Sequence, residues 1–297
     1  MSVDTHPVRA GIAQVVGSSR PLSWINTAYP FAAAFLLAGG DDVLTLVVGT
    51  LYFLVPYNLL MYGINDVFDY ESDLRNPRKG GIEGALLPRR LHGPLLWLTA
   101  AVSAPFVVVL VAAGSVASNV ALAVSLFAVI AYSAPGLRFK ERPFLDSATS
   151  ATHFVSPAVV GLALAGSAFS APTILILVAF FLWAMAAHAF GAVQDIGPDR
   201  EAGIGSIATV LGARWTVRFA VAMWALAGVL MLAVPWPGPL AAIVVVPYIV
   251  NCVPWWNLED EDAGATNVSW RRFIALNYGA GFVVTLLLIG AWGIAWF

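Results

Sequence analysis

The residues best suited to chemistry in this chain are four carboxylates, Asp66, Asp69, Glu71 and Asp73, which follow a long apolar run. If that run continues as a helix, Asp66, Asp69 and Asp73 fall at i, i+3 and i+7 on one face, and Glu71 points elsewhere. Carboxylates this close repel one another and partly protonate unless a hard cation such as Mg²⁺ compensates their charge. We therefore predict a metal site here, in preference to a solvated acidic end of a helix.

A second acidic pair, Asp195 and Asp199, follows another apolar run downstream. The two stand at i and i+4, although Gly197 and Pro198 favour a loop or a broken helix as much as a continuous one. This spacing alone is a weak signal, but a second cluster about 130 residues after the first indicates a duplicated unit. Equivalent helix ends of such a unit would converge on one shared ligand.

The composition indicates a membrane protein. Of 297 residues, 60% are hydrophobic and 11% are charged, which is outside the usual range of soluble domains. A helix needs about 20 mostly apolar residues to cross the hydrocarbon of a bilayer. Apolar runs predict nine transmembrane helices at 22–39, 43–64, 94–113, 117–135, 147–166, 172–193, 215–234, 238–256 and 273–296.

The predicted fold is all-α, a polytopic membrane protein with a single transmembrane domain over residues 1–297. The two repeats would cover roughly 20–145 and 146–270, and the ninth helix, 273–296, would follow them. With nine spans, all fifteen Lys and Arg lie at or near span ends on one side of the membrane. The positive-inside rule then places the N terminus and both acidic clusters at the cytoplasmic face and the C terminus outside.

Several function classes are disfavoured by the bulk composition. A net charge of −2 without a basic stripe argues against nucleic acid as a partner. The single cysteine, Cys252, excludes an intramolecular disulfide and a thiolate metal cage. The run Glu259–Asp262 looks like a third acidic cluster, but we interpret it as a solvated loop.

Cationic side chains accompany the acids on the predicted cytoplasmic face. Carboxylates that bind a divalent metal, beside Arg and Lys that bind phosphate oxygens, suit a diphosphate whose lipid tail enters the adjoining membrane interior. Charge stabilisation on departing diphosphate would ionise an allylic C–O bond, and a dry site would preserve the carbocation for an apolar acceptor. The candidate substrate-binding residues among these cations are Arg20, Arg78, Lys79, Arg138, Lys140 and Arg200, with Arg75 nearby.

Two other functions stay open alongside prenyl transfer. A secondary transporter usually has ionisable residues or broken helices near the membrane midplane, and the nine spans contain no acidic residue. A membrane phosphatidyltransferase also uses Mg²⁺ and acidic clusters, but its Asp-Gly and Ala-Arg spacing is absent. His188, seven residues before Asp195, is a candidate for the final deprotonation, as is His153, with helix packing the default for both.

The motifs Asn65-Asp66-x-x-Asp69-x-x-x-Asp73 and Asp195-x-x-x-Asp199 resemble the two signatures of the UbiA superfamily of intramembrane prenyltransferases. The resemblance covers nearly the whole chain. It implies nine helices in two related four-helix bundles around a central cavity, with Mg²⁺ and a prenyl diphosphate held under a cytoplasmic cap. It also implies that Arg20 and Lys140 contact the diphosphate. The metal and diphosphate ligands it implies are Asn65, Asp66, Asp69, Asp73, Asp195 and Asp199.

Two departures from the family pattern narrow the resemblance. Ala192 stands where many members have a further Asp, and Arg78-Lys79-Gly80-Gly81 stands where many have Arg-Pro-x-Pro-x-Gly. Segments 18–30 and 62–73 resemble bacterial lycopene elongases, which add dimethylallyl units to lycopene. That likeness implies dimethylallyl diphosphate as donor and lycopene as acceptor, with an aromatic or quinone precursor as the alternative acceptor.

Overall fold

The computed structural model describes residues 7–74 and 87–292, and every regular element in these ranges is helical. The predicted all-α fold is therefore confirmed. The helices are α1 Pro7–Ser18, α2 Ile25–Leu37, α3 Val43–Leu54, α4 Pro56–Phe68, α5 Tyr70–Asp73, α6 His92–Ala113, α7 Val116–Ser133, α8 Leu145–Leu164, α9 Ala171–Val193, α10 Ile196–Ala202, α11 Ile207–Leu232, α12 Gly238–Ala241, α13 Val246–Cys252 and α14 Asn267–Ala291. Short 3₁₀ segments lie between some of them, at Pro21–Ser23, Arg89–Leu91, Phe139–Glu141, Ala242–Val245, Val253–Trp255 and Asp260–Thr266.

Seven helical stretches of the described chain are long and apolar enough to cross a membrane, which makes this a multi-pass membrane protein. The predicted number of nine is not confirmed. The first predicted span corresponds to α2, which has 13 residues and is shorter than a full crossing, and α8 is not among the seven. The seven stretches are Val43–Phe68, Arg89–Ala113, Val116–Ser133, Ala171–Val193, Ile207–Leu232, Gly238–Trp255 and Asp260–Ala291.

The second predicted span, 43–64, is broken between α3 and α4 at Pro56. Proline has no N–H and its ring crowds the preceding turn, so the helix ladder is interrupted there. The Asn58 amide repairs the interruption, because its Nδ2 donates to the carbonyl oxygens of Phe53 at 2.9 Å and Leu54 at 3.1 Å. It also lies 2.7 Å from Thr27 Oγ1, so the break is tied to α2.

Other helix boundaries also differ from the predictions. The span predicted to begin at residue 215 begins at Ile207, with a kink at Gly212, where φ is 76°. The span predicted at 238–256 consists of short α and 3₁₀ segments, because Pro239, Pro247 and Pro254 each remove a backbone donor. Helix α1 was not among the predicted elements.

Buried aromatic side chains form two cores, one in each half of the chain. The first contains Phe31, Tyr52, Phe53 and Tyr57, and the second contains Phe190, Trp224, Tyr248 and Phe273. Helix α8 packs against α2, α7 and α9, and so joins the two halves. The α2–α8 contact requires a glycine, because a Cβ on Gly161 would lie 2.5 Å from the Phe31 carbonyl oxygen.

Candidate active site

The first acidic cluster lies at the end of α4. Asp66 is in the last turn, and Asp69 caps the helix with φ −98° and ψ −1°, so the helix does not run unbroken into α5. Both residues are buried, with 1% of Asp66 and 3% of Asp69 exposed. A carboxylate buried to this degree keeps its charge only if cations or hydrogen-bond donors replace the lost water.

Cations from two distant segments supply that compensation. Arg20 Nη2 lies 3.2 Å from Asp66 Oδ1. Lys140 forms an ion pair with Asp69 Oδ1, and Arg138 Nη2 is 3.9 Å from the same oxygen. The structure therefore brings these three basic residues to the acidic end of α4, and their binding of phosphate stays a prediction. The site combines two carboxylates and three cations at one helix end.

The two arginines adopt a left-handed backbone conformation, with φ 49° at Arg20 and φ 41° at Arg138. This conformation costs a non-glycine residue about 1–2 kcal/mol. Conformations of this kind are often found at active sites and ligand-binding clamps. Each guanidinium lies near a carboxylate, and the Arg20 group also lies 4.2 Å from the centre of the Tyr62 ring.

The Arg138 guanidinium is shared between two acids. It pairs with Glu141 three residues along the chain, in addition to facing Asp69. The hydrogen bond from Arg138 holds the pKa of the Glu141 carboxyl below its ordinary value. Glu141 therefore competes with the Asp69 side of the site for this cation.

The second acidic cluster occupies a break between α9 and α10. Of the alternatives left open by Gly197 and Pro198, the broken helix is the one observed: α9 ends at Val193, Asp195 caps α10, and Asp199 lies in the first turn of α10. Both residues are only partly buried as a whole. The second cluster is thus more open to solvent than the first.

Hydrogen bonds from neighbouring polar side chains connect this break to the C-terminal part of the chain. Asn267 Nδ2 donates to Gln194 Oε1 at 2.6 Å, which ties the break to the start of α14. Arg200 bonds to Asp260 Oδ2 at 2.6 Å and to the Thr209 carbonyl at 2.9 Å. Arg200 is therefore directed at a loop carboxylate, and a role for it in substrate binding stays a prediction.

Both clusters lie at the same end of the helix bundle. The Lys140–Asp69 pair joins the end of α4 to the segment after α7. Tyr132 Oη lies 3.2 Å from His188 Nε2, which joins the last turns of α7 to α9. Ser147 Oγ lies 3.1 Å from His188 Nδ1, which adds the start of α8. The C-terminal ends of α4, α7 and α9 therefore lie together, at the end of the bundle that carries both acidic clusters.

A buried carboxylate that sequence reasoning missed, Asp146, belongs to the same end. It is fully buried; its Oδ1 accepts from the Ser147 N–H and its Oδ2 from the Ile207 N–H, both at 2.7 Å. It thus links the first turn of α8 to the start of α11. The available signal was a single acid in the first turn of an apolar helix, where the helix dipole favours it.

The structure does not cover all of the predicted site. Asn65 lies in the last turn of α4, partly buried, and its carbonyl accepts the Asp69 N–H at 2.9 Å. Arg75, Arg78 and Lys79 fall outside the described residues, as does the side chain of Asp73. Their assignment to the site stays a prediction.

The donor set suits Mg²⁺ more than a transition metal. In residues 7–74 and 87–292, no three Asp, Glu, His or Cys side chains gather into a metal cage. Mg²⁺ does not require one, because it is commonly held by one or two carboxylates and completes its shell with waters and phosphate oxygens. The candidate ligands offer only carboxylate and amide oxygens, which hard cations prefer.

Comparisons with known proteins agree with this architecture. Residues 27–277 match the model of the UbiA prenyltransferase family. The lycopene elongase/hydratase of Corynebacterium glutamicum is 51% identical over 278 residues, which are 94% of this chain and 97% of that protein. The C(50) beta-cyclic carotenoids biosynthesis protein LbtBC of a Dietzia species is 56% identical over 273 residues, which are 92% of this chain and 63% of that protein.

A solved structure has the same fold. The UbiA homolog from Archaeoglobus fulgidus bound to DMAPP and Mg²⁺ superposes with a TM-score of 0.66 at 20% identity, covering 90% of this chain and 98% of that one. The family and the enzyme class predicted from the two aspartate motifs are therefore confirmed. This multi-pass membrane protein is a prenyltransferase and belongs to the UbiA prenyltransferase family.

Proposed function

We propose that this enzyme transfers a dimethylallyl group from dimethylallyl diphosphate to lycopene in a Mg²⁺-dependent reaction. The observation that carries the proposal is the set of buried ion pairs, Arg20 with Asp66 and Lys140 with Asp69, at one end of an apolar bundle. The lycopene elongase/hydratase of C. glutamicum, similar over 94% of this chain, supports the choice of acceptor. An aromatic or quinone-precursor acceptor is the alternative.

The basic residues are suited to hold the diphosphate. Arg20, Arg138 and Lys140 already face carboxylate oxygens, and a phosphate oxygen offers each of them the same charge-assisted hydrogen bond. A substrate that enters between acids and bases would therefore replace one ion pair with another. Because both guanidinium groups already face the acidic helix end, little rearrangement is required for binding.

The acidic residues are suited to hold the metal. Asp66, Asp69, Asp195 and Asp199, with Asn65 and Asp73, would supply oxygen ligands. Bound Mg²⁺ would neutralise charge that develops on the departing diphosphate. The role of the chain is to place these oxygens beside the cations and to keep water out while the allylic bond breaks.

Two aromatic rings are placed to stabilise an allylic cation. The face of Tyr62 carries the Arg20 guanidinium, which indicates that this face accepts positive charge. The ring of Tyr132 packs edge-on against His153 and His188, with centroid distances of 5.2 Å and 6.5 Å. By contrast, Tyr57 is completely buried in the first aromatic core and serves packing.

We also propose that the acidic end faces the cytoplasm, as the positive-inside rule predicts. The donor diphosphate is water-soluble and would enter from that side, whereas the acceptor would enter from the lipid. A reporter fused after Phe297 should then be detected outside the cytoplasm. A cytoplasmic signal would contradict this orientation.

The deciding experiment supplies purified protein in detergent with dimethylallyl diphosphate, Mg²⁺ and lycopene. Products five and ten carbons longer than lycopene are expected by mass spectrometry, and EDTA should abolish them. If lycopene is returned unchanged while a hydroxybenzoate acceptor is prenylated, the acceptor assignment is wrong. If no acceptor is prenylated and no diphosphate is released, the proposed reaction itself is wrong.

A further inference from the structure

We propose that Tyr132 and His188 form a proton relay that receives the proton lost after the new C–C bond forms. The inference rests on the prenyl transfer proposed above and adds residues outside both aspartate motifs. A carbocation adduct becomes a neutral alkene only when a neighbouring C–H bond gives up its proton. Formation of the alkene therefore requires a proton acceptor near the cation, and Asp66 and Asp69 already pair with basic side chains.

The geometry of the relay is defined by two contacts of one imidazole. Tyr132 Oη lies 3.2 Å from His188 Nε2, and Ser147 Oγ lies 3.1 Å from His188 Nδ1. When Nδ1–H donates to Ser147, Nε2 carries the lone pair and accepts the Tyr132 hydroxyl proton. A partner on each ring nitrogen fixes the tautomer and the orientation of the ring, as in other histidine bases.

The relay lies beside the diphosphate-binding end of the site. Tyr132 is in the last turn of α7, and the segment that follows carries Arg138 and Lys140, both of which face Asp69. The allylic cation forms where the diphosphate departs, so the phenol is placed close to the reacting carbon. Tyr132 and His188 also retain exposed surface, which allows a bound ligand to reach them.

A second network of hydrogen-bonded hydroxyl groups has a purely structural role and provides a comparison. Ser156 donates to Ser125 at 2.7 Å, and Ser125 donates to Tyr57 at 3.0 Å. Tyr57 and Ser125 are completely buried, and no histidine takes part in these bonds. That chain joins α4, α7 and α8 and is closed to ligands, whereas the Tyr132–His188 pair is open and ends in a base.

The proton and electron balance of the step is complete. The acceptor double bond donates its electron pair to the allylic carbon and forms the new C–C bond, which leaves a tertiary cation. A C–H bond next to that cation breaks, and its electrons form the product double bond. The proton passes to the Tyr132 oxygen as the Tyr132 hydroxyl proton passes to His188 Nε2. His188 ends as an imidazolium that later releases the proton to solvent.

His153 is the rival for this role and provides the control. Its ring packs edge-on against Tyr132 at 5.2 Å, but the phenol is hydrogen-bonded to His188, and His153 is only 3% exposed. A ligand would not reach His153 without displacing packed side chains. His153→Gln changes the packing of the same tyrosine without touching the relay.

The test measures two quantities in the same reaction: diphosphate released and acceptor prenylated. His188→Ala and Tyr132→Phe should lower the ratio of alkene product to diphosphate at least about tenfold, since a positioned base contributes about 10²–10⁴-fold. The share of water-captured, hydroxylated product should rise. Imidazole added to His188→Ala should restore part of the ratio, whereas His153→Gln should keep the wild-type ratio.

The outcomes separate this inference from the proposed function. A wild-type ratio in folded His188→Ala or in Tyr132→Phe, which lacks a single oxygen, overturns the relay while prenyl transfer stands. If His153→Gln alone lowers the ratio of alkene product to diphosphate, His153 is the base and the relay is overturned. A wild-type enzyme that releases no diphosphate overturns the proposed function and the relay together.

Discussion

The two acidic clusters of this prenyltransferase are built differently, although both follow an apolar helix. In the first cluster, buried Asp66 and Asp69 pair directly with Arg20 and Lys140 from distant segments. In the second, Asp195 and Asp199 are partly exposed, and the basic residue next to them, Arg200, turns away to Asp260. The first cluster thus pairs with cations from distant segments, whereas Arg200, next to the second cluster, pairs with a carboxylate of a supporting loop.

This difference suggests a division of labour within one site. Buried ion pairs hold their geometry before a substrate arrives, so the first cluster is preorganised for the diphosphate that we propose it binds. Partly exposed acids on the seven-residue helix α10 owe their position to neighbouring contacts, among them the Gln194–Asn267 pair. Changes in the first cluster should therefore affect turnover strongly, and changes in the supports of the second should affect it moderately.

The largest effect is expected from Asp69→Asn. This variant keeps the shape of the side chain but removes its negative charge, which faces both Lys140 and Arg138. It also weakens a candidate Mg²⁺ ligand. We expect kcat/KM for the donor to fall at least about 10²-fold, the size typical of lost electrostatic stabilisation. Steady-state release of diphosphate, measured across Mg²⁺ concentrations, tests this.

Glu71→Gln is the matched control for Asp69→Asn. Glu71 belongs to the same acidic run, but it is exposed and pairs with Arg89 at the surface. Surface ion pairs contribute about 0–1 kcal/mol, so activity and stability should stay near the wild-type values. Equal losses in both variants would contradict the idea that the buried carboxylates carry the site.

The second prediction separates stability from catalysis with Lys140→Met. Breaking a buried ion pair typically destabilises a protein by about 3–5 kcal/mol, because it leaves an uncompensated charge. Lys140 is 15% exposed, and Arg138 remains near Asp69, so the lower end of that range is expected. Adding Asp69→Asn to Lys140→Met should recover the thermal stability in detergent but not the activity.

This double variant decides between two explanations of the Lys140–Asp69 pair. If the pair serves the fold alone, restoring the thermal unfolding temperature should restore turnover as well. If the pair serves catalysis, the double variant should be stable and inactive. Recovered turnover would contradict the assignment of both residues to the site.

The sequence predicted the parts of the site that depend on local spacing. The carboxylates at Asp66 and Asp69 are three residues apart at the end of one apolar run, so they were recognised without tertiary information. Asp146 and Asp260 were not recognised as structural residues, because their partners lie far along the chain. Ile207 is 61 residues from Asp146, and Arg200 is 60 residues from Asp260.

In the fold too, features that depend on local composition were predicted and those that depend on distant contacts were not. Apolar runs predicted the crossing helices, since burial in lipid is a property of composition. The breaks were harder to predict, because proline inside an apolar run is tolerated when another group satisfies the freed carbonyls. At Pro56 that group is the Asn58 side chain, whose second partner, Thr27, lies on a different helix.

The third prediction concerns the support of the second cluster. Asp260→Asn weakens the bond to Arg200 and the bond from the Ala213 N–H to Asp260 Oδ1 at 2.6 Å. Helix α10 should then be less well fixed, and kcat/KM should fall by about fivefold to tenfold, which is about 1–1.4 kcal/mol. Asp262→Asn, in the same acidic loop, is the control, and an equal loss there would indicate a general effect of loop charge.

The smallest effect is expected from Glu141→Gln, and its sign tests whether Arg138 serves the first cluster. Glu141 competes with the site for Arg138, so removing its charge should lower the donor KM about twofold; the pair is partly exposed and worth about 1 kcal/mol at most. Because Arg138 holds the Glu141 pKa below its ordinary value, this competition is present at neutral pH and is lost as pH falls through that lowered pKa. The KM values of the wild type and Glu141→Gln should therefore converge toward acidic pH. A higher KM in the variant at neutral pH would instead mean that Glu141 orients Arg138 for binding.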